Sequence, residues 1–274
     1  MLKPGSSPVD WCESNYIYSP FIAEYANTVS NIIFFALPPV LIWLFQPYAN
    51  HCNRGIYVVW GMLIVVGACS MYFHATLSLL GQLLDELAIL WVFSAAFAIW
   101  FPSRYLPLYF RRKRSSFSFL VLAVAVISSL LALIQPAFNA FALMTLGVPT
   151  LVLLVSELSR CDNSRVLRLG ARCGAVWILA VACWVNDRMF CETWSNLNFP
   201  YLHAFWHVLI FIASYTACVL FAYFDAKHQV PEQDPVLKYW PNDRYEFLSV
   251  PYIGLSGGSL TAEVDTFVRK QHLI

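Results

Sequence analysis

The chain predicts an all-α polytopic membrane protein, a bundle of seven transmembrane helices, on three observations. Its 274 residues are 59% hydrophobic and only 12% charged, against roughly 45–50% and 25% in soluble domains. Seven apolar stretches are long enough to cross a bilayer, which takes about 17 to 25 residues. The positive charges then fall on one side of a seven-span arrangement.

The stretches lie at about 27–45, 55–77, 83–101, 117–135, 138–157, 173–190 and 203–224. The fourth and fifth are divided only by "QPAFN", where Pro136 and Asn139 suit a tight turn. With the N-terminus outside, the inner segments hold Arg54, the run Arg104 to Arg114, the run Arg160 to Arg172, and Lys227, Lys238, Arg244, Arg269 and Lys270. That places fifteen of seventeen basic residues inside and leaves Lys3 and Arg188 outside. Residues 1–26 thus form a lumenal segment, 27–224 the helical domain, and 225–274 a polar cytosolic tail expected to be extended, rich in Pro and Gly near "VPEQDPVLKYWPNDRYEF" and "GLSGGS". Residues 1–20 carry Asp10, Glu13, Asn15 and Pro20 and lack a continuous apolar core, so no cleavable signal is expected. A net charge of +1, with no basic stripe among exposed aromatics, argues against nucleic-acid binding.

Ionisable side chains inside membrane helices are costly and mark function. Of six histidines, His51, His228 and His272 lie in inner segments, where solvation suffices. The second helix runs outward, so His74 sits near its outer end. The third runs back, so Asp85 and Glu86 sit near its outer start. The seventh enters from outside with His203 and His207 in its first turns, four residues apart and on one helix face. Three imidazoles at one depth form a three-nitrogen site with an open position, the pattern of catalytic zinc. Asp85 becomes a candidate general base, and Ser70, four residues before His74, a hydrogen-bond donor to a developing oxyanion. Each residue alone has a plainer reading: packing for a histidine, back-bonding for Ser70, capping for Asp85.

Ahead of the first helix, Asp10, Glu13, Asn15 and Glu24, with a backbone carbonyl such as that of Trp11, offer the hard oxygen donors that calcium takes. The spacing is not that of an EF-hand, and acidic residues before a helix also complement its dipole, so spacing alone does not choose. Cys12 and Cys191 both face the outer, oxidising side, which permits a disulfide or two free thiols. Most other cysteines fall in apolar runs, as buried thiols do. Asp187 and Arg188 read as an ion pair or a snorkelling arginine.

Taken together, "VDWCESNY", "AEYANTVSN", "MYFHATLSLLGQLLDELAILWV", "WVNDRMFC", "NFPYLHAFWHVL" and "YWPND" resemble the alkaline ceramidases across nearly the whole chain. The resemblance implies a seven-helix intramembrane hydrolase that cleaves ceramide, with water, into sphingosine and a free fatty acid. It places zinc on His74, His203 and His207, chemistry on Ser70 and Asp85, calcium on Asp10, Trp11, Glu13, Asn15 and Glu24, and a lumenal disulfide on Cys12 and Cys191. Residence in the endoplasmic reticulum or Golgi follows as an expectation, with no obligate protein partner. The wider superfamily includes seven-helix adiponectin-type receptors, so a receptor with structural zinc is the neighbouring alternative.

Overall fold

A computed structural model of the protein describes residues 1–135 and 137–255. Seven helices are long and apolar enough to cross a membrane: α1 (Tyr25–Leu44), α2 (Ile56–Thr76), α3 (Leu79–Trp100), α4 (Arg114–Ile134), α5 (Ala137–Leu158), α6 (Ser164–Met189) and α7 (Leu202–Gln229). The all-α bundle expected from composition is the observed fold. Two helices outrun their apolar stretches, because a helix continues through the interface once its backbone bonds are formed. Thus α6 starts nine residues early and carries Arg165, Arg168 and Arg172, and α7 runs on to Gln229.

Local chemistry fixes the helix ends. Ser78 caps α3 by accepting the Gly81 N–H at 3.1 Å, and Asn163 caps α6 by accepting from Arg165 and Val166. Between them α2 closes on Leu77 in the left-handed region, φ 47°. This turns α2 into α3 within two residues and leaves the last carbonyls of α2 unpaired within the helix. The N-terminal segment satisfies them. Gly5, Ser7, Ala23 and Glu24 donate their N–H groups to the carbonyls of Thr76, Leu77, Ala75 and His74, at 2.9–3.0 Å. Residues 5–24 are thereby pinned across the histidine end of the bundle.

α2 packs along α1 and α3, α7 along α6, and α4 and α5 cover α3. The α1–α2 crossing is close at Gly67, where a Cβ would stand 2.4 Å from the Phe34 Cβ, so only glycine fits. The core lies toward the basic end, around Leu41, Phe45, Tyr48, Trp60, Phe211 and Leu220. By contrast α4 and α5 expose Phe119, Leu122, Ile127, Phe141, Met144 and Val152, a surface suited to lipid.

Two sequence expectations change. Asn139 is not in the α4–α5 turn but in the first turn of α5, buried, donating to the Glu86 carbonyl at 3.3 Å. The tail is folded rather than extended through Leu255: β1 (Val236–Trp240) and β2 (Val250–Gly254) pair antiparallel, with Leu237 opposite Ile253. Leu237, Tyr239 and Ile253 face the bundle and join its core. Packing against helices supplies what a lone hairpin lacks. Arg165 stacks on the Tyr239 ring at 4.7 Å, and Glu246 accepts from Arg165 and Arg168 at 3.0 and 2.8 Å. Pro136, the tract beyond Leu255, Arg269, Lys270 and His272 lie outside the described residues.

Candidate metal centre

The left-handed turn at Leu77 and the entry of α7 bring His74, His203 and His207 together. Their ring centroids are 4.7–5.0 Å apart, and one ring nitrogen from each lies within 4.8 Å of the others. All three side chains are buried, at 2% exposure or less. Among the described residues this is the one group of three histidine, cysteine or carboxylate side chains whose ligand atoms converge so closely, and the Asp10, Glu13 and Glu24 carboxyls do not form a second.

Hydrogen bonds to the other ring nitrogens decide which atoms are free. His74 Nδ1 meets Glu24 Oε2 at 2.5 Å. With Glu24 ionised, as a cation bound among its oxygens would keep it, the carboxylate only accepts, so Nδ1 carries the proton and Nε2 keeps its lone pair. Ser30 Oγ donates to the Asn27 carbonyl, so at 2.7 Å it accepts from His207 Nδ1, which again leaves Nε2 as the acceptor. His74 Nε2 and His203 Nδ1 are buried without any hydrogen-bond partner. Orphaned imidazole nitrogens in an apolar interior are unfavourable, and a soft-to-borderline divalent ion suits this donor set. The partners on Nδ1 are the orienting contacts that metal-binding histidines use.

His203 is held from both sides, stacked on Trp11 at 3.6 Å and on Trp206 at 4.9 Å. Its backbone N–H donates to Asp187 Oδ1 at 3.1 Å, while Asp187 Oδ2 accepts from the Cys12 N–H. Asp187 therefore ties α6 to α7 and to the N-terminal segment, and the ion pair with Arg188, one of the two readings of the sequence, is not formed. Arg188 instead donates to the Asp10 carbonyl and lies over the Trp11 ring. Cys12 and Cys191 form a disulfide with Cα atoms 5.3 Å apart, which anchors the same segment just beyond the C-terminal end of α6.

Ser70 and Asp85 stand beside the histidines. The Ser70 hydroxyl is 3.4 Å from His207 Nε2 and lies near the Asp85 carboxyl of α3. A half-buried carboxyl thus stands beside a buried hydroxyl and three buried imidazoles.

The acidic set before α1 is partly assembled. Asn15 donates to both Asp10 oxygens at 3.2 Å, and the Asn15 Oδ1 is buried without a partner. Glu24 Oε1 accepts the Trp11 N–H at 2.9 Å. Glu13 is occupied differently: its two oxygens accept the N–H groups of Ala26 and Asn27, capping α1. Burial pushes the Glu24 carboxyl up to about 8 against the Trp11 and Asn27 donors that lower it, and raises Glu13 as well. A divalent cation among these oxygens would reverse that trend, and the orphaned Asn15 oxygen fits a hard ion.

Ser30, Asp187 and the rings of Trp11 and Trp206 were not singled out from sequence as parts of the site. Ser30 and Asp187 carried a signal, as a hydroxyl and a carboxyl within apolar spans.

Comparison with known proteins agrees with this geometry. A family model described as Ceramidase matches residues 3–254. Alkaline ceramidase of Drosophila melanogaster is 56% identical over 254 residues, covering 93% of this chain and 89% of that one. Alkaline ceramidase 1 of Homo sapiens is 41% identical over 252 residues, covering 92% and 95%. Alkaline ceramidase of Caenorhabditis elegans is 33% identical over 250 residues, covering 89% and 92%. The motif resemblance and the buried histidine trio lead to one conclusion: this chain belongs to the ceramidase family.

Proposed function

We propose that the protein hydrolyses the amide of ceramide to sphingosine and a free fatty acid, using zinc on His74, His203 and His207 and supported by calcium near Asp10, Trp11, Glu13, Asn15 and Glu24. The observation that carries this reading is the convergence of three buried imidazoles beside Asp85 and Ser70. Zinc held there supplies Lewis-acid polarisation and lowers the pKa of water to about 7.

This chain's own residues do the rest. Asp85 takes the proton of the attacking water as it adds to the acyl carbonyl. Ser70 donates a hydrogen bond to the oxyanion that develops there. Asp85 returns the proton to the leaving amine, so one carboxyl serves both steps. The histidine rings stay fixed, because Glu24, Ser30 and the two tryptophans hold them. Three histidine ligands leave a position open, as hydrolytic sites require, whereas structural zinc is held by four protein ligands. That supports a hydrolase over a receptor built on the same bundle.

Among the described residues thirteen of fifteen basic side chains belong to the segments opposite the histidines, which supports a lumenal N-terminus and a cytosolic C-terminus; residence in the endoplasmic reticulum or Golgi rests on the family resemblance. Purified protein incubated with ceramides of several chain lengths, before and after a zinc chelator, should release sphingosine only while zinc is present. Unchanged release from zinc-free protein would overturn the reading.

A further inference from the structure

At the basic end of the bundle a cleft of about 400 Å³ opens between the ends of α3, α5 and α7. Its walls include Arg104, Glu157, Arg160, Tyr223, Phe224 and His228. Glu157 is 5% exposed. Its Oε2 accepts from Arg104 at 2.6 Å, but its Oε1 is buried with no hydrogen-bond partner. Arg160 and His228 are exposed and make no ion pair among the described residues, and Lys227, also at the rim, is engaged by Asp234 at 3.0 Å.

The cleft thus offers two chemistries: the free Arg160 guanidinium with the His228 imidazole at its mouth, where Asp162 is also exposed, and a carboxylate oxygen in its wall that only accepts. A plain phosphate meets the first and is repelled by the second. A trimethylammonium group brings positive charge but no N–H for Glu157. A primary ammonium joined to a phosphate satisfies both. The location chooses the source. Trp100, Leu158 and Gln229 end α3, α5 and α7 here, at the level where a bilayer places its headgroups, and the half-buried Phe224 together with the Tyr223 ring gives an apolar wall toward the membrane. We propose that this cleft binds the headgroup of an ethanolamine-type phospholipid from the leaflet on the basic side, with its phosphate on Arg160 and His228 and its ammonium on Glu157 Oε1.

The full-length chain in detergent, titrated with short-chain dioctanoyl-phosphatidylethanolamine and followed by its thermal unfolding midpoint, tests this. The midpoint should rise at concentrations where dioctanoyl-phosphatidylcholine, the trimethylated counterpart, has no effect. Arg160→Ala combined with His228→Ala, both at exposed positions, should raise the half-saturating concentration at least tenfold. Glu157→Gln should narrow the preference for ethanolamine over choline, and if that variant does not fold, the surface pair carries the test. Free phosphoethanolamine should act only at far higher concentration. Equal effects of the two lipids, an unaltered titration in the surface double variant, or equal potency of free phosphoethanolamine would each overturn the proposal.

Discussion

Glu24→Gln is the substitution that bears most on how the site is held. Glu24 accepts from His74 Nδ1 at 2.5 Å, from the Trp11 N–H at 2.9 Å and from the Asn27 amide at 3.1 Å, and it is fully buried. Glutamine preserves shape and keeps one oxygen, but it removes the charge that a cation nearby keeps on Glu24 and offers an N–H where His74 also has one. A charge-assisted hydrogen bond in such a setting contributes about 1.5–3 kcal/mol, which is roughly ten- to a hundredfold in an equilibrium constant. Contacts that orient metal-bound histidines fall in the same range. Zinc affinity, measured by chelator competition on the purified variant, should therefore weaken by about that factor. The loss should persist in excess calcium, which separates the effect on His74 from any effect on the acidic set. A zinc affinity within twofold of the parent protein would refute the role given to Glu24.

Asp85→Asn should retain zinc, as read by elemental analysis, and lower the rate of sphingosine release by about 10²–10⁴-fold, the range for loss of a positioned acid and base. Removing the disulfide by Cys12→Ser should lower stability by about 2–4 kcal/mol and raise protease access to residues 5–24, since that segment then rests on its hydrogen bonds and the packing of Val9 and Trp11. The hairpin should detach in acid. Arg168 and Arg165 hold the Glu246 carboxyl below the ordinary carboxylate value, about 4.3, so this attachment is fully present above that value and is lost as pH falls through the lower folded value. Hydrogen exchange across residues 236–254 should show full protection at neutral pH and its loss in acid, and Glu246→Gln should reduce protection already at neutral pH.

How much of this was legible in the sequence depends on the range of the signal. The spans, the depth of His74, Asp85, His203 and His207, and the shared face of the histidine pair all follow from helical period and chain direction. Periodicity also gave the position of Ser70. What it could not give are contacts made by chain that crosses the bundle: Ser30 on His207, Asp187 on the Cys12 and His203 N–H groups, and the Trp11 ring on His203. Those depend on the route of residues 5–24, which is set by unpaired carbonyls at the end of α2 and by a leucine in a conformation usually left to glycine. Neither leaves a pattern in composition. The hairpin was hidden for a related reason, since its strands are short, β2 contains Pro251, and the connection carries no tight-turn dipeptide. Its stability comes from Arg165, Arg168 and the bundle core, all distant in sequence.

The central claim is that the histidine trio holds the zinc on which hydrolysis depends. Zinc content and ceramide hydrolysis measured together on purified protein and on its His207→Ala variant test it most directly. The account predicts zinc and turnover in the parent and neither in the variant. A His207→Ala protein that is free of zinc and still hydrolyses ceramide would contradict it.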